Sequence, residues 1–429
     1  MSSALQPDLP AADPYAAWRI RNYRFYAASW FLMTVGRQIE TVAIGVYFIY
    51  ALQQSPSALG LLGLVQALPV MALAIPGGQV ADRYERRLVL AGTLLVTMFI
   101  SVGLTIACRQ HASAQWIYLL LLVSAMGQAI GGPSRSALLP WIVPAEGFSN
   151  AVAWNSSVFH IAAMVGPALG GVLVEIGGGV PGALAVVVAC RVAALLGVMC
   201  LPRQRPQRAQ SSISVESLMA GVRFVWGQKA ILATITLDLF AVLLGGATYL
   251  LPVVAKDLLH VGPSAVGYLR SSEAAGAIFM AVLLAHSRPI RRAGRAMLWA
   301  VAGFGAATVV FGLSRNVWLS IVAMFVAGAL DNISVVVRHT LVQMLTPDAM
   351  RGRVSAVNNV FIVASNDLGG LESGYTAQWF GVVASIVGGG IGTILVVAAA
   401  ARKWPQILAI GSLADLRPVD DDPAEDAGT

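Results

Sequence analysis

The stretch "GGQVADRYERRLVL", residues 77–90, lies between two long apolar runs and holds five charges within six residues: Asp82, Arg83, Glu85, Arg86 and Arg87. We call it the charged loop. The 429-residue chain around it is 57% hydrophobic and 11% charged, with a mean hydropathy of +0.73. Soluble domains carry about 25% charged residues, and apolar runs of about 20 residues indicate membrane-spanning helices. The charged loop is therefore predicted to be a polar turn between two such helices.

The rest of the composition argues against several other classes of protein. The net charge is +7, but the basic residues are scattered through short loops, so no nucleic-acid partner is expected. The cysteines Cys108, Cys190 and Cys200 lie in or beside apolar runs and show no metal-ligand spacing. The sequence contains no phosphate-binding loop, nucleotide fingerprint or nucleophile motif. We therefore expect no enzyme, no cofactor, no metal and no use of ATP.

Apolar runs recur twelve times along the chain. The predicted spans are 25–51, 58–81, 88–108, 116–142, 151–175, 181–201, 230–255, 265–286, 296–314, 318–338, 355–380 and 383–401. A polar linker, 202–229, separates six spans from six, and its second part, "SLMAGVRFVWGQK", predicts an amphipathic helix on the membrane surface. The predicted domains are a cytoplasmic tail (1–24), whose residues 1–18 are expected to be disordered, a six-helix bundle (25–201), the linker (202–229), a second bundle (230–403) and an acidic cytoplasmic tail (404–429).

The distribution of Lys and Arg predicts the orientation of the chain. Nineteen of these residues fall in the segments that share a side with the N-terminus, and three, Arg109, Lys256 and Arg315, fall in the opposite loops. Because basic residues accumulate on the cytoplasmic side, both termini are predicted to be cytoplasmic, in the plasma or inner membrane.

The two halves of the sequence resemble each other at a constant offset of about 203 residues. Arg135, Leu138 and Pro144 align with Arg338, Leu341 and Pro347, and Asn155, Gly166 and Gly171 align with Asn358, Gly369 and Gly374. Duplicated helical units are typical of transporters that bind their substrate between two repeats. The repeat therefore favours a transporter over a channel, a receptor or a membrane enzyme.

The charged loop carries a recognisable motif. Gly78, Asp82, Arg83, Arg86 and Arg87 fit G-x-x-x-D-R-x-G-R-R, and the pattern resembles the signature loop of the major facilitator superfamily. Glu85 stands where that superfamily usually has Gly.

That resemblance implies a cytoplasmic latch between the two halves. Gly78 would let two helices approach closely, Asp82 would reach the start of span eleven near Ser355, and Arg135 would be an ionic partner of Asp82. The alternative is a simple positive-inside anchor.

Span five and the second half extend the resemblance. Gly166, Pro167, Gly170 and Gly171 in "AMVGPALGG" resemble the antiporter motif of proton-coupled exporters, and they predict a small-residue face suited to close packing. "TPDAMRGRVSAVN" (346–358) and "ASNDLGGLESG" (364–374) resemble the branch that contains the enterobactin exporter and related secretion carriers. The resemblance implies outward transport of a siderophore or a drug-like compound.

Ionisable groups within the spans are the candidate proton-coupling or cavity residues, because each costs about 2.5–3.5 kcal/mol in a bilayer. Arg37 and Glu40 are three residues apart in span one, on one helical face. Arg191 in span six has no acid at helical spacing, so its role stays open. The other candidates are Asp238, Asp331, Asn332, Asn366 and Asp367. Glu40 and Asp367 suit proton transfer best, while each acid has a static ion pair or a helix cap as its alternative.

The expected fold is an all-α integral membrane protein with twelve transmembrane helices in two pseudo-symmetric six-helix bundles. The expected function is secondary transport by alternating access: export of an amphipathic organic solute, driven by the proton gradient. The expected partners are a small-molecule substrate and the lipid bilayer, and the expected state is a monomer. An importer or facilitator of the same fold, and a non-transporting receptor, are the alternatives.

Overall fold

The computed structural model describes residues 13–203, 215–287 and 290–412. Helices joined by short turns make up this part of the chain, which contains no strand. In chain order the long helices are α1 (Arg21–Val46), α2 (Pro56–Ala72 and, after a break at Leu73, Ala74–Arg83), α3 (Arg86–Arg109), α4 (Ala114–Ile142), α5 (Phe148–Ile176), α6 (Gly179–Met199), α7 (Lys229–Leu244), α8 (Pro263–His286), α9 (Ala293–Leu313), α10 (Val317–Met344), α11 (Asp348–Phe380) and α12 (Val382–Lys403). The all-α fold is confirmed.

Most of these helices are long and apolar enough to cross a membrane. Among the described residues nine pass that test, and the two parts of α2 together make a tenth span. α1 and α11 have 26 and 33 residues but carry charged and polar side chains along their length. These two helices hold Glu40 and Asp367, whereas the candidates Asp238 and Asp331 lie on α7 and α10, which pass the test.

Two helices continue beyond their α-helical part into π-helical or 3-10 turns. α1 ends in a π-helical turn, Tyr47–Ala51. α7 is followed by a 3-10 turn, Gly246–Leu250, one short α-turn and a second π-helical turn, Val254–Leu258. Single π-turns are uncommon and are frequent at functional sites, and these two end spans one and seven, which the repeat aligns.

The chain divides into two compact units. Unit 1 holds the chain up to Ile44 and from Leu68 into the linker, and unit 2 holds Gly45–Ala67 and the chain beyond the linker. By contacts, Gly45–Ala67 thus groups with the second half rather than with the rest of the predicted 25–201 bundle. The duplicated six-helix unit stays a prediction.

The core of unit 1 packs together the helix ends on the side of the charged loop and includes the segment before α1. Tyr23, Leu90, Leu138 and Val198 are buried in one cluster with Ala17.

Residues 13–20 do not form a disordered tail. The backbone N–H of Ala17 donates to Asn150 Oδ1 at 3.1 Å, and the Trp154 indole donates to the Pro14 carbonyl at 2.8 Å. The predicted disorder is therefore wrong for residues 13–18, while residues 1–12 lie outside the described part.

The linker contains the expected amphipathic helix, Val215–Gly227, but its apolar face rests on protein. Val225 is buried in a cluster with Ile231, Val342 and Val354 of unit 2. A Cβ at Gly221 would lie 3.0 Å from the Arg353 carbonyl oxygen, so the helix lies directly against α11. The acidic tail begins with a short helix, Pro405–Ala409, and its acidic residues lie outside the described part.

Candidate functional site

The carboxylate of Glu40 lies inside unit 1, where three helices meet. Arg191 of α6 forms an ion pair with it, with Nη2 2.8 Å from Oε2, and both side chains are 7% exposed. The hydroxyl of Ser101 on α3 donates to the same oxygen at 3.0 Å. Arg191 also donates to the carbonyl of Thr97. Glu40 is thus the anion of a buried network that joins α1, α3 and α6.

This network differs from the pairing that the sequence favoured. Arg37, three residues before Glu40, is exposed, whereas Arg191 is 5% exposed and supplies the cation. Removing one partner of a buried ion pair costs about 3–5 kcal/mol, because the other charge is left without compensation. A proton on Glu40 would leave Arg191 in that position, so the pair is better suited to fix the packing of unit 1 than to carry protons.

Unit 2 contains a second buried ion pair. Asp238 on α7 accepts a hydrogen bond from Arg338 on α10, and the side chains are 6% and 4% exposed. In unit 1 Arg135, which the repeat aligns with Arg338, lies 3.6 Å from the ring centroid of Trp30 on α1. The aligned arginines therefore both bind the first helix of their half, one through a carboxylate and the other through an aromatic ring.

The other candidates of unit 2 are spread over α10 and α11. Asp331 is half-buried and lies within electrostatic range of Glu273 on α8. The Oδ1 atom of Asn332 is buried and has no hydrogen-bond partner among the described residues. Asn366 is exposed and its amide donates to the Ile362 carbonyl of its own helix at 2.8 Å. Asp331, the one acid among these three, forms no ion pair within the part of the chain that the structure describes.

Asp367 makes the contact that best fits reversible proton binding. The hydroxyl of Tyr249, in the 3-10 turn after α7, lies 2.6 Å from Asp367 Oδ1. The Tyr249 ring packs on glycines: Cβ atoms at Gly63 and Gly370 would lie 2.9 and 2.7 Å from it. A phenol hydroxyl can donate to a carboxylate and accept from a carboxylic acid, so the same two groups can share a hydrogen bond whether or not Asp367 carries a proton.

The charged loop forms the turn between α2 and α3, and two of its arginines bind helix ends. Arg87 donates to the carbonyls of Leu201 and Met199 at 2.6 and 2.7 Å, at the end of α6. Arg86 donates to the Ala81 carbonyl in the last turn of α2 at 3.4 Å and to the Ala137 carbonyl within α4 at 3.1 Å. Because the last carbonyls of a helix lack intrahelical partners, Arg87 caps α6 and Arg86 caps α2 on the side of unit 1 that carries the charged loop.

The acidic partner of the predicted latch has no contact of that kind within its own unit. Asp82 is half-buried and forms no ion pair with Arg135 in the described part of unit 1. Arg135 donates to the Tyr26 hydroxyl at 3.2 Å and covers Trp30, while Arg83 is exposed. Arg135 thus contacts Tyr26 and Trp30 instead of Asp82. The latch towards span eleven stays a prediction.

Two backbone details of the charged loop differ from expectation. A Cβ at Gly77 would lie 2.6 Å from the Ala129 carbonyl oxygen on α4, while a Cβ at Gly78 would meet nothing within 4 Å. The close helix approach therefore occurs at Gly77, and its prediction at Gly78 is wrong by one residue. Glu85 precedes α3 with φ −60° and ψ 111°. That conformation is open to any residue, so no glycine is required there.

The glycine motif of span five lies against α1. A Cβ at Gly166 would be 2.6 Å from Gln38 Cβ, and one at Gly170 would be 3.0 Å from Ile39 Cα. Both glycines, with Pro167 and Gly171, are buried within a continuous α5. Larger residues at Gly166 or Gly170 would push α5 away from α1, the helix that holds Glu40 in place.

The long apolar helices indicate a multi-pass membrane protein, and solved structures show that its fold is that of major facilitator transporters. A bacterial homologue of the human lysosomal transporter Spinster, inward-facing and unoccupied, has a TM-score of 0.73 at 15% identity over 90% of this chain and 98% of that one. The nucleoside transporter NupG has a TM-score of 0.65 at 13% identity over 90% and 99%. Residues 12–420 match the family model described as transmembrane secretion effector, and the chain belongs to that family.

Curated relatives agree with this assignment. The enterobactin exporter EntS of Citrobacter koseri is 29% identical over 327 residues, 75% of this chain and 77% of that protein. EntS of Shigella boydii serotype 4 is 27% identical over 375 residues, 84% and 88% of the two chains. The chain is therefore a membrane transporter, and the relatives place it outside the enzymes. Among the described residues no group of three or more His, Cys, Asp or Glu side chains is arranged to hold a metal ion.

Proposed function

We propose that this transporter exports an amphipathic organic solute of the siderophore class from the cytoplasm and exchanges it for protons. It works as a monomer by alternating access in the inner membrane, with both termini cytoplasmic, and without ATP. The direction and substrate class are supported by the enterobactin exporters it resembles and by the Gly166–Gly171 motif of α5. The orientation is supported by the distribution of basic residues.

The observation that carries the proton step is the contact of Asp367 with Tyr249. The pair lies on α11 and on the turn after α7, with the hydroxyl 2.6 Å from the carboxylate. A carboxyl group held by a hydroxyl can gain or lose a proton while keeping its hydrogen bond. Glu40, bound to Arg191 inside unit 1, is assigned the structural role, and Asp238 with Arg338 the corresponding role in unit 2.

Everted membrane vesicles test this function. Respiring vesicles acidify their interior, and enterobactin is added outside as the probe, on the face that is cytoplasmic in the cell. Export by proton exchange predicts uptake of enterobactin together with release of protons from the lumen. Uptake that persists unchanged after the pH gradient is collapsed would contradict the proton coupling. Absence of uptake, with release of another secreted compound from cells that carry the protein, would contradict the siderophore assignment.

A matched pair of variants locates the coupling group. Asp367→Asn keeps the size of the side chain and a hydrogen bond to Tyr249 but cannot bind a proton. Asn366→Ala changes the adjacent exposed residue, whose amide bonds only its own helix. Coupling through Asp367 predicts loss of proton release in the first variant and retention in the second.

A further inference from the structure

Lys256 is one of three basic residues in the predicted outer loops, against nineteen on the inner side. In the structure it lies in the π-helical turn Val254–Leu258 after α7 and is half-buried. Its Nζ atom donates to the carbonyl of Ile49 at 2.8 Å, in the π-helical turn that ends α1. Lys256 therefore caps the end of another span.

A second hydrogen bond runs in the opposite direction. The hydroxyl of Tyr50, next to Ile49, donates at 2.9 Å to the carbonyl of Val261, in the loop after the π-helical turn Val254–Leu258. Lys256 Nζ also lies 5.6 Å from the ring centroid of Tyr50. The final carbonyls of a helix lack intrahelical partners. The end of α1 thus receives the Lys256 side chain, and the loop after α7 receives the Tyr50 side chain. Water can replace both bonds when the two segments separate.

Tyr50 belongs to a hairpin, Gly45–Ala67, made of the end of α1 and the first part of α2. This hairpin touches α11 through its backbone. A Cβ at Gly60 on α2 would lie 2.7 Å from the Gly370 carbonyl oxygen, and one at Gly374 would lie 3.0 Å from the Pro56 carbonyl oxygen. At these two positions backbone meets backbone, while the Tyr249 ring lies against Gly63 of the hairpin and Gly370 of α11. Lys256 and Tyr50 supply directional bonds beside these glycine contacts.

The hairpin Gly45–Ala67 is connected along the chain to unit 1 at both of its ends. By contacts, however, it belongs to unit 2. Irregular backbone lies near both ends: the π-turn Tyr47–Ala51, and the break at Leu73 in α2.

We propose that Lys256 and Tyr50 are positioning residues of transport, holding the hairpin Gly45–Ala67 on the segment after α7 and beside α11 and releasing it once in each cycle. This inference rests on the alternating access of the proposed function. The net contribution of a hydrogen bond is about 1 kcal/mol, which corresponds to about five-fold in an equilibrium constant. Loss of either capping bond is therefore expected to raise the population of the released state about five-fold.

Cysteine accessibility measures that population. Ala58 in the hairpin is 9% exposed and becomes the reporter as Ala58→Cys, after Cys108, Cys190 and Cys200 are replaced by Ser. A membrane-impermeant maleimide is applied to the outer side of right-side-out vesicles. When release and return are fast compared with labelling, the rate follows the released population.

Lys256→Met is expected to accelerate labelling about five-fold, and Tyr50→Phe, which removes a single oxygen atom, to do the same. Arg109→Met is the matched control, since it removes another predicted outer cation, which is exposed at the end of α3, and it is expected to leave the rate unchanged.

Wild-type labelling rates in both Lys256→Met and Tyr50→Phe, with the proteins folded, would overturn the proposal. So would equal acceleration in Arg109→Met, because the effect would then come from surface charge. If Lys256→Met does not insert into the membrane, Tyr50→Phe alone decides. The assay needs neither substrate nor a proton gradient. Accelerated labelling combined with a negative vesicle experiment would therefore count against the proposed function and leave the role of Lys256 intact.

Discussion

Arg191→Met is the perturbation that most directly tests the packing of unit 1. Methionine retains much of the apolar volume of the side chain but removes the cation from Glu40 and the donor from the Thr97 carbonyl. Both charged side chains are 7% exposed, so the carboxylate left behind has little access to water. The expected loss in the free energy of unfolding is about 3–5 kcal/mol, and Ser101, 3.0 Å from Glu40, recovers only a small part of it.

The assay is a double-mutant cycle on the purified protein in detergent. Unfolding is followed by loss of helical circular dichroism with increasing denaturant, for the wild type, Arg191→Met, Glu40→Gln and the double variant. The double variant is expected to be more stable than Arg191→Met, because no uncompensated charge remains buried. Arg37→Met is the control: Arg37 is exposed three residues from Glu40, and its loss is expected to change stability by less than about 0.5 kcal/mol.

Two results would refute this reasoning. One is an Arg191→Met protein as stable as the wild type, which would mean that Glu40 finds another cation or water. The other is additive losses in the double variant, which would mean that the two side chains contribute independently.

Three further changes have defined outcomes. Asp238→Asn should destabilise unit 2 by about 3–5 kcal/mol by leaving the Arg338 cation buried, measured in the same unfolding assay; a loss below about 1 kcal/mol would show that the pair is hydrated. Gly170→Leu should lower stability by about 1–3 kcal/mol or block folding, because even a Cβ there would lie 3.0 Å from the α1 backbone. Gly92→Leu is the control and should be tolerated, because Gly92 has open space around it. Equal effects of the two substitutions would contradict close packing of α5 on α1. Asp82→Asn should reduce transport while membrane insertion, measured by immunoblot, is unchanged; normal transport would reduce the charged loop to an anchor.

Much of the fold could be predicted from the sequence because a bilayer imposes simple rules. Long apolar runs and the bias of basic residues depend only on local composition, so the helices lie close to the predicted spans. The exceptions have physical reasons. Residues 13–20 precede the first long apolar run and look like part of a tail, yet Asn150 and Trp154 of α5 supply the hydrogen bonds that hold them.

The site was less predictable because its contacts join residues far apart in the chain. Glu40 and Arg191 are separated by 151 positions, and no helical spacing could pair them, so the nearer Arg37 was favoured instead. Lys256 could have been singled out from the sequence, because it is one of only three basic residues in the predicted outer loops, where Lys and Arg are rare. Tyr249 offered none, because one tyrosine in an apolar span resembles an ordinary interface residue.

Counterflow in proteoliposomes tests the central claim, proton-coupled export through Asp367, most directly. Wild-type protein and Asp367→Asn are reconstituted, and labelled enterobactin is followed with a pH gradient and, separately, in exchange for unlabelled enterobactin without one. The account predicts that Asp367→Asn loses accumulation driven by the gradient but keeps the exchange, because only the proton step is removed. Gradient-driven accumulation by Asp367→Asn at the wild-type rate would contradict it.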